Sequence, residues 1–446
     1  MKTLIKKIAL ACLFFLAASV ASAYDFEYEG AYYSVISSTD RTCGITYKEF
    51  FKETETYKGE FIIPETVEYE GNIYKVIMIG SYAFCKCSNL ISVTIPEGVT
   101  SIGGYAFYGC SSLTNITIPE SVTSIKGLAF YDCSSLTSIT IPEGVTSIEN
   151  SVFENCSALT SITIPEGVTS IENSAFYGCS SLTNITIPES VTSIGDDTFS
   201  KCSSLTSITI PEGVTSIENG VFYRCSSLTS ITIPEGVTSI ENSAFHGCSS
   251  LTSIAIPEGV TSIGDWAFLD CSSLHEIIVD DENSDFTSIK GALYSKDISE
   301  LYCCPAGLME TSFTIPETVT SIDDYAFAFC SSLTSITIPK GVTSIGDNAF
   351  LNCSSLTSIT IPEGVTEIVE QAFYGCSSLT SVTIPKGVTS IENSAFHGCS
   401  SLTSIAIPEG VTSIGTMAFC GCRGLTSVTI PEGVTSIGDD TFRYCI

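Results

Sequence analysis

The chain has 446 residues, a formal charge of −31 at pH 7 and a mean hydropathy of +0.33. So acidic a polypeptide repels phosphate backbones and anionic lipid, which argues against nucleic acid and bare membrane as partners. An apolar fraction of 44% still provides for a large core, so the acid must lie outside something well packed.

Lys2, Lys6 and Lys7 precede an apolar run from Ile8 to Val20, which ends at the small-residue site Ala21-Ser22-Ala23. Residues 1–23 therefore read as a secretory signal peptide, cleaved before Tyr24. Ala9-Leu10-Ala11-Cys12 lacks the large residue usual three places before a lipidated cysteine, so lipid attachment is not expected. No later stretch is apolar over the ~18 residues that a membrane span needs, and the mature chain is expected to be exported without membrane insertion. Cleavage removes three lysines and no acid, leaving 15 bases against 49 acids.

Residues 24–80 are rich in tyrosine and β-formers, as in Tyr24-Asp-Phe-Glu-Tyr-Glu-Gly-Ala-Tyr-Tyr33, and carry a degenerate strand at Phe61-Ile-Ile-Pro-Glu-Thr-Val67. A stack of repeats exposes an apolar cross-section at its end, and this segment reads as a β-rich N-terminal cap.

From about Ser81 a 23-residue unit takes over, typified by Cys133 to Asn155. Cys87, Cys110, Cys133, Cys156, Cys179, Cys202, Cys225, Cys248 and Cys271 mark the period without any alignment. Such a repeat specifies a solenoid of some 16 coils stacked at the ~4.8 Å strand spacing. Within one coil Leu136, Ile139 and Ile141 alternate inward along a short strand, leaving Ser138, Thr140 and Pro142 outward. Pro142 ends the ladder for want of an amide, Glu143-Gly144 turns the chain, Val145 and Ile148 begin a second inward segment, and Val152-Phe153 fills the back. Each regular coil has one cysteine, so bridges within a coil are excluded, and parallel neighbours point the wrong way for bridges between coils. A ladder of buried free thiols behaving as small hydrophobes is favoured.

The first repeat block spans 81–271. Cys271 and Cys330 are 59 residues apart, two periods plus 13, so residues 272–325 form enlarged coils with a projecting hairpin around Asp280 to Asp285 and Gly291 to Asp297. The second block, 326–446, keeps the step through Cys353, Cys376, Cys399, Cys422 and Cys445, and it shows no terminal cap, so that end is expected to fray or take a partner. Gly236–Gly264 is identical to Gly387–Gly415, the mark of duplicated whole coils.

Candidate binding residues fall in columns. Thr117, Thr140 and Thr163 belong to an outward threonine ladder, read either as β-branched filling of an exposed strand or as a hydroxyl surface for glycan, protein or ice. Glu97, Glu120, Glu143 and their successors form an acidic ladder costing about 0.8 kcal/mol per neighbouring pair before screening, which Lys340 and Lys386 relieve. It reads as a solvated edge that resists lateral aggregation, with divalent cations as the other reading. The position after the phenylalanine varies and holds Tyr108, Tyr131, Tyr177, Tyr223 and Tyr374, with His246 and His397. Tyrosine offers rigid area with a polar tip, so these are the binding candidates, against the reading of an exposed turn under little constraint. For Trp266, partial burial and binding are both open. No catalytic motif, zinc-ligand spacing or calcium loop appears, and no enzyme activity, metal or cofactor is expected.

The run Leu-x-x-Ile-x-Ile-Pro, Val-Thr-Ser-Ile, Ala-Phe, Cys-Ser-Ser-Leu resembles the BspA-like, or treponemal-type, leucine-rich repeat over about Ser81 to Ile446. The resemblance implies a repeat solenoid, a right-handed stack of leucine-rich coils with short parallel strands. It further implies a secreted or cell-surface protein, some members of the family binding extracellular-matrix proteins or other cells; extracellular or host matrix proteins, mucin or glycans, or other cells are the expected partners. A passive structural solenoid without a specific ligand is the alternative.

Overall fold

In the computed structural model, which describes residues 24–48 and 57–445, the 23-residue unit forms one turn of a β-solenoid. The expected leader lies outside the described residues. Among those residues there is no helix, and most regular coils carry two short strands joined by turns, the first reduced to a single bridge at Thr232, Ala406 and Thr429.

The first strand column runs parallel and in register from coil to coil, Ser138 against Ser161, Ile139 against Ile162 and Thr140 against Thr163. Leu136, Ile139 and Ile141 are buried while Ser138 and Thr140 are exposed, so period-two alternation positions the strand. One residue departs from it. Pro142, expected to face outward, is buried, because the chain folds back at once: the Val145 amide donates to the Pro142 carbonyl at 3.1 Å and closes a turn over the strand end. Gly144 has no positive φ in that turn, but a side chain there would bring Cβ within 2.9 Å of Thr123 Cγ2 on the preceding coil. Ser121 and Ser190 occupy the same position in other coils, where their hydroxyls donate to the Val99 and Val168 carbonyls at 2.7 and 2.6 Å.

The second strand column pairs Ser147–Ile148 with Ser170–Ile171 and so on along the array. Beyond it each coil closes through two left-handed residues four apart, such as Ser151 (φ 54°) with Asn155 (φ 60°) and Tyr105 (φ 59°) with Gly109 (φ 68°). The hydrogen bonds reverse direction around the coil. On the strand side Thr169 and Glu172 amides donate back to Thr146 and Ile148 of the preceding coil at 2.9 and 2.8 Å. On the turn side Ser151, Phe153 and Asn155 amides donate forward to Asn173, Ala175 and Tyr177 at 3.0, 2.9 and 2.7 Å. Every regular coil is thereby bonded to both neighbours, and isolated coils have no independent core.

Two buried columns run through the interior. The phenylalanines stack with centroids 5.0–5.9 Å apart and planes within 12°, from Phe84 to Phe268 and again from Phe327 to Phe442. Beside them the cysteines are unbridged, and in most regular coils the thiol donates to the phenylalanine carbonyl of the preceding coil, Cys110 to Phe84 at 3.0 Å and Cys133 to Phe107 at 3.2 Å, whereas Cys330, after the insert, donates to Cys304 and Pro305. The small side chain thus fills space and satisfies a carbonyl as well. Thiol titration of the denatured, unreduced protein is expected to find most repeat cysteines free; a count near zero would mean that they are oxidised in pairs.

At the N-terminal end Phe26–Tyr28, Ala31–Ser37 and Thr42–Thr46 form an antiparallel meander. Asn72–Ile79 pairs parallel with its last strand and passes the sheet on to Ser101–Ile102 of the first coil. Tyr57 and Phe61 lie 4.8 and 5.5 Å from Phe84 and cover the first ring of the stack.

Midway the rhythm breaks. After Glu276–Val279, which continues the first strand column, Phe286–Ile289, Ala292–Ser295 and Glu300–Cys303 form an antiparallel meander. Its last strand then serves as the second strand of the next coil and pairs parallel with Ser321–Ile322. The middle strand is a partition: Leu293 belongs to the hydrophobic core of the first block, Ala292 and Tyr294 to that of the second. Asn283 anchors this insert from a fully buried position. Its amide donates to Pro257 O and Val260 O at 2.9 and 2.8 Å, and its carbonyl oxygen accepts from the amides of Asp285 and Phe286 at 2.9 and 2.8 Å.

Candidate functional site

Thr117, Thr140 and Thr163 lie exposed on the first strand column, in register with Thr94 and Thr186 on either side. They differ from a second threonine column three residues earlier in each coil: Thr137 and Thr160 hydroxyls donate to the Thr114 and Thr137 carbonyls at 3.3 and 3.1 Å. The outward three have no such bond among the described residues, so their hydroxyls face solvent. Glu120 and Glu143, just past the strand, are exposed, and the Glu120 carboxylate accepts from the Glu143 amide at 3.3 Å.

Tyr108, Tyr131, Tyr177, Tyr223 and Tyr374 occupy the closing turn, just before its second left-handed residue. The sequence suggests an exposed turn there; the structure instead makes the column half-buried, because Tyr108, Tyr223 and Tyr374 each meet a ring on the next coil, stacked or edge to face, while the Lys201 side chain covers Tyr177. Tyr108 and Tyr131 stack at 4.8 Å, Tyr374 and His397 at 4.6 Å, and Tyr223 meets His246 edge-on at 5.0 Å. Where the position is small it closes over completely, as at Ser200 and Ala328. Burial holds the His246 and His397 imidazoles below their ordinary value, with Asp270 opposing that effect at His246, so both rings are neutral at pH 7.

The middle of this column carries two of the few basic side chains of the array. The Lys201 ammonium bonds the Tyr177 hydroxyl and lies 4.7 Å from that ring's centre, and the Arg224 guanidinium lies 5.2 Å from the centre of Tyr223. Both overhang a shallow groove of about 580 Å³ whose floor is the serine ladder Ser180, Ser203, Ser226 and Ser249. Each of these hydroxyls donates to the preceding serine carbonyl at 3.3–3.4 Å, so the groove is a regular, rigid surface. Its lining sets these two cations against one carboxylate, Asp270, with Tyr177 and Tyr223 beside the cations, and a ladder of identical hydroxyls suits a ligand that is itself repetitive.

Trp266 lies in the column one turn earlier than the tyrosines and is 49% exposed, edge-on to Tyr325 at 6.1 Å. Sequence reasoning missed Lys201 and Arg224 as groove residues. The available signal was their position directly before the cysteine, where other coils have Gly109, Asp132, Asn155 or Gly178, residues suited to left-handed backbone. A long cation at a position that favours glycine is a departure from local preference, and here it sits beside the aromatic column. Among the described residues no cluster of three His, Cys, Asp or Glu side chains is arranged to hold a metal ion, and no helix is long and apolar enough to cross a membrane.

A family model described as a BspA type leucine rich repeat region matches the sequence in six copies, over residues 77–205, 169–299 and 302–423. The solved structure of a leucine rich cell surface protein from Faecalibacterium prausnitzii A2-165 is 32% identical over 92% of this chain and 95% of that protein, with a TM-score of 0.57. A leucine-rich repeat protein from Bacteroides ovatus ATCC 8483 is 31% identical over 95% of this chain and 93% of its own, with a TM-score of 0.52. Comparison with curated proteins finds no match.

Proposed function

From the premise that this chain belongs to the BspA-type leucine-rich-repeat family, we propose that it is exported and acts at or outside the cell surface as an adhesion or recognition protein. The family and the cell-surface relative support the location, as does the leader read at residues 1–23. The observation that carries the binding reading is the interrupted column of tyrosines and histidines, half-exposed on the closing turns of both repeat blocks, with Lys201 and Arg224 reaching to Tyr177 and Tyr223 from the serine-floored groove. Its partner is an extracellular or matrix protein, a mucin or another glycan, presented on a surface or another cell. Contacts repeated along the array are individually weak and add up by avidity when several copies meet a repetitive ligand.

The ring stacking between coils also favours a second reading, in which the column only stiffens a passive structural solenoid. One experiment separates the two. Binding of the mature chain to immobilised matrix proteins, mucin and glycans at physiological salt, with and without calcium, is compared with that of a variant carrying Tyr108→Ser, Tyr131→Ser, Tyr177→Ser and Tyr223→Ser. The recognition reading expects saturable binding to one class of ligand, weakened ~100-fold or more in the variant, since interface tyrosines carry ~1–2 kcal/mol each. Unchanged binding by a folded variant assigns the column to structure alone.

A further inference from the structure

Beyond the surface columns, and independently of them, the break in the repeat creates a cleft of about 120 Å³ between the coil of Trp266 and that of Tyr325. Its origin is topological. In the preceding coil the amides of Ser243, Phe245 and Gly247 donate forward to Asp265, Ala267 and Leu269; among the described residues the corresponding amides of Trp266, Phe268 and Asp270 meet no carbonyl of a following coil. The phenylalanine stack stops at Phe268 and restarts at Phe327. The insert fills the interior of this gap but leaves its outer mouth open.

That mouth has two aromatic walls and an acidic rim. Trp266, half exposed, stands edge-on to Tyr325, and Tyr302 from the insert also lines the cleft. Asp265, Asp323 and Asp324 line the same space, with no basic side chain among the lining residues. Asp323 is the most enclosed of the three. Its carboxylate accepts from the Asp324 amide at 2.9 Å, and Asp324 in turn accepts from the Asp347 amide at 2.7 Å. Burial raises the Asp323 carboxyl above its ordinary value; the hydrogen bond from the Asp324 amide opposes this, and the charges of Glu300, Asp324 and Asp265 add to it. Carboxylates gathered against low-dielectric ring walls create a negative potential that an incoming cation relieves, and aromatic faces hold such a cation through their quadrupole. A hydrated sodium ion gains little from the rings; an organic cation with an apolar surface gains from both.

We propose that this cleft is a binding site for an organic cation, an ammonium or guanidinium group, seated against Trp266 and Tyr325 and neutralised by Asp265, Asp323 and Asp324. The cation comes from a lysine or arginine side chain of a partner polypeptide or from a free alkylammonium, and the two sources share this chemistry.

Trp266 is the chain's sole tryptophan, so its fluorescence reports on this cleft alone. The mature chain is titrated at constant ionic strength with capped lysine amide, capped arginine amide, tetramethylammonium and, as controls, sodium chloride and neutral methyl glucoside. The expected result is a saturable change with at least one organic cation and none with either control. A preference for capped lysine or arginine points to a polypeptide source, and one for tetramethylammonium to a free alkylammonium. Asp323→Asn keeps the acceptor for the Asp324 amide and is expected to weaken binding roughly tenfold. The exposed Asp265→Asn, whose folding is not at stake, is expected to weaken it in the same direction. Saturation by methyl glucoside, an equal response to sodium, no saturable response to any organic cation, or full affinity in Asp265→Asn would each overturn the assignment.

Discussion

Raising the pH from 8 to 11 in the presence of reductant is expected to unfold the repeat array in one steep transition, with the driving force coming from its cysteines. Twelve fully buried thiols donate to phenylalanine carbonyls of preceding coils. Burial pushes the thiols of Cys202, Cys248 and Cys376 up to about 12. In the unfolded chain a thiol ionises near ~8.5. The folded state therefore keeps protons that the unfolded state releases. The stabilisation is complete below the unfolded value and is lost as the pH rises toward the folded one, at about 1.4 kcal/mol per thiol for each pH unit in between. A dozen thiols acting together remove more than ~10 kcal/mol by pH 10, comparable with the whole stability of a typical domain. Circular dichroism against pH follows the transition, and thiolate absorbance is expected to appear only as structure is lost. Cys→Ala at three adjacent coils, Cys179, Cys202 and Cys225, is expected to lower stability at pH 7 yet make the alkaline loss shallower. Thiolate appearing in a fully folded array would show that the thiols ionise in place and do not govern the transition.

Asn283→Asp is expected to cost about 3–5 kcal/mol, far more than an isosteric change at the surface. The substitution removes both donors to the Pro257 and Val260 carbonyls and sets a buried negative charge against those carbonyl oxygens. The two accepted bonds from Asp285 and Phe286 survive, so the loss is traceable to the donor side and to the charge. Urea unfolding at pH 7 checks it. A midpoint shift worth less than ~1 kcal/mol would mean that the insert is held by its apolar contacts and that the asparagine merely accompanies them.

The regular part of this fold was legible because its period is written in side chains that no other arrangement can bury together. Cys, Phe, Leu and Ile recur at one spacing, and stacking them in register leaves a single consistent core. Pro142 was misplaced because alternation was carried one residue past the point where the chain turns. The left-handed pairs, such as Ser151 with Asn155, were hidden because serine, tyrosine, leucine and lysine occupy positions that backbone conformation alone would give to glycine; bonding to both neighbouring coils overrides that preference. The tyrosine column was found, but its half-buried stacking depends on which residue the next coil supplies. The cleft could not be read at all. It arises from hydrogen bonds that a missing coil would have accepted, and Asn283, in the middle of an acidic run, looks like one more solvated polar residue until the carbonyls it serves are in view.

The reversal of hydrogen bonding around each coil determines how this protein answers a pull. Coil-to-coil bonds run along the stacking direction, so tension applied along that axis opens them like a zip, a few at a time, instead of shearing a whole sheet at once. Each coil that peels away releases 23 residues, or about 75–80 Å of extended chain, before the next one bears load. An array built this way yields by lengthening, one coil at a time.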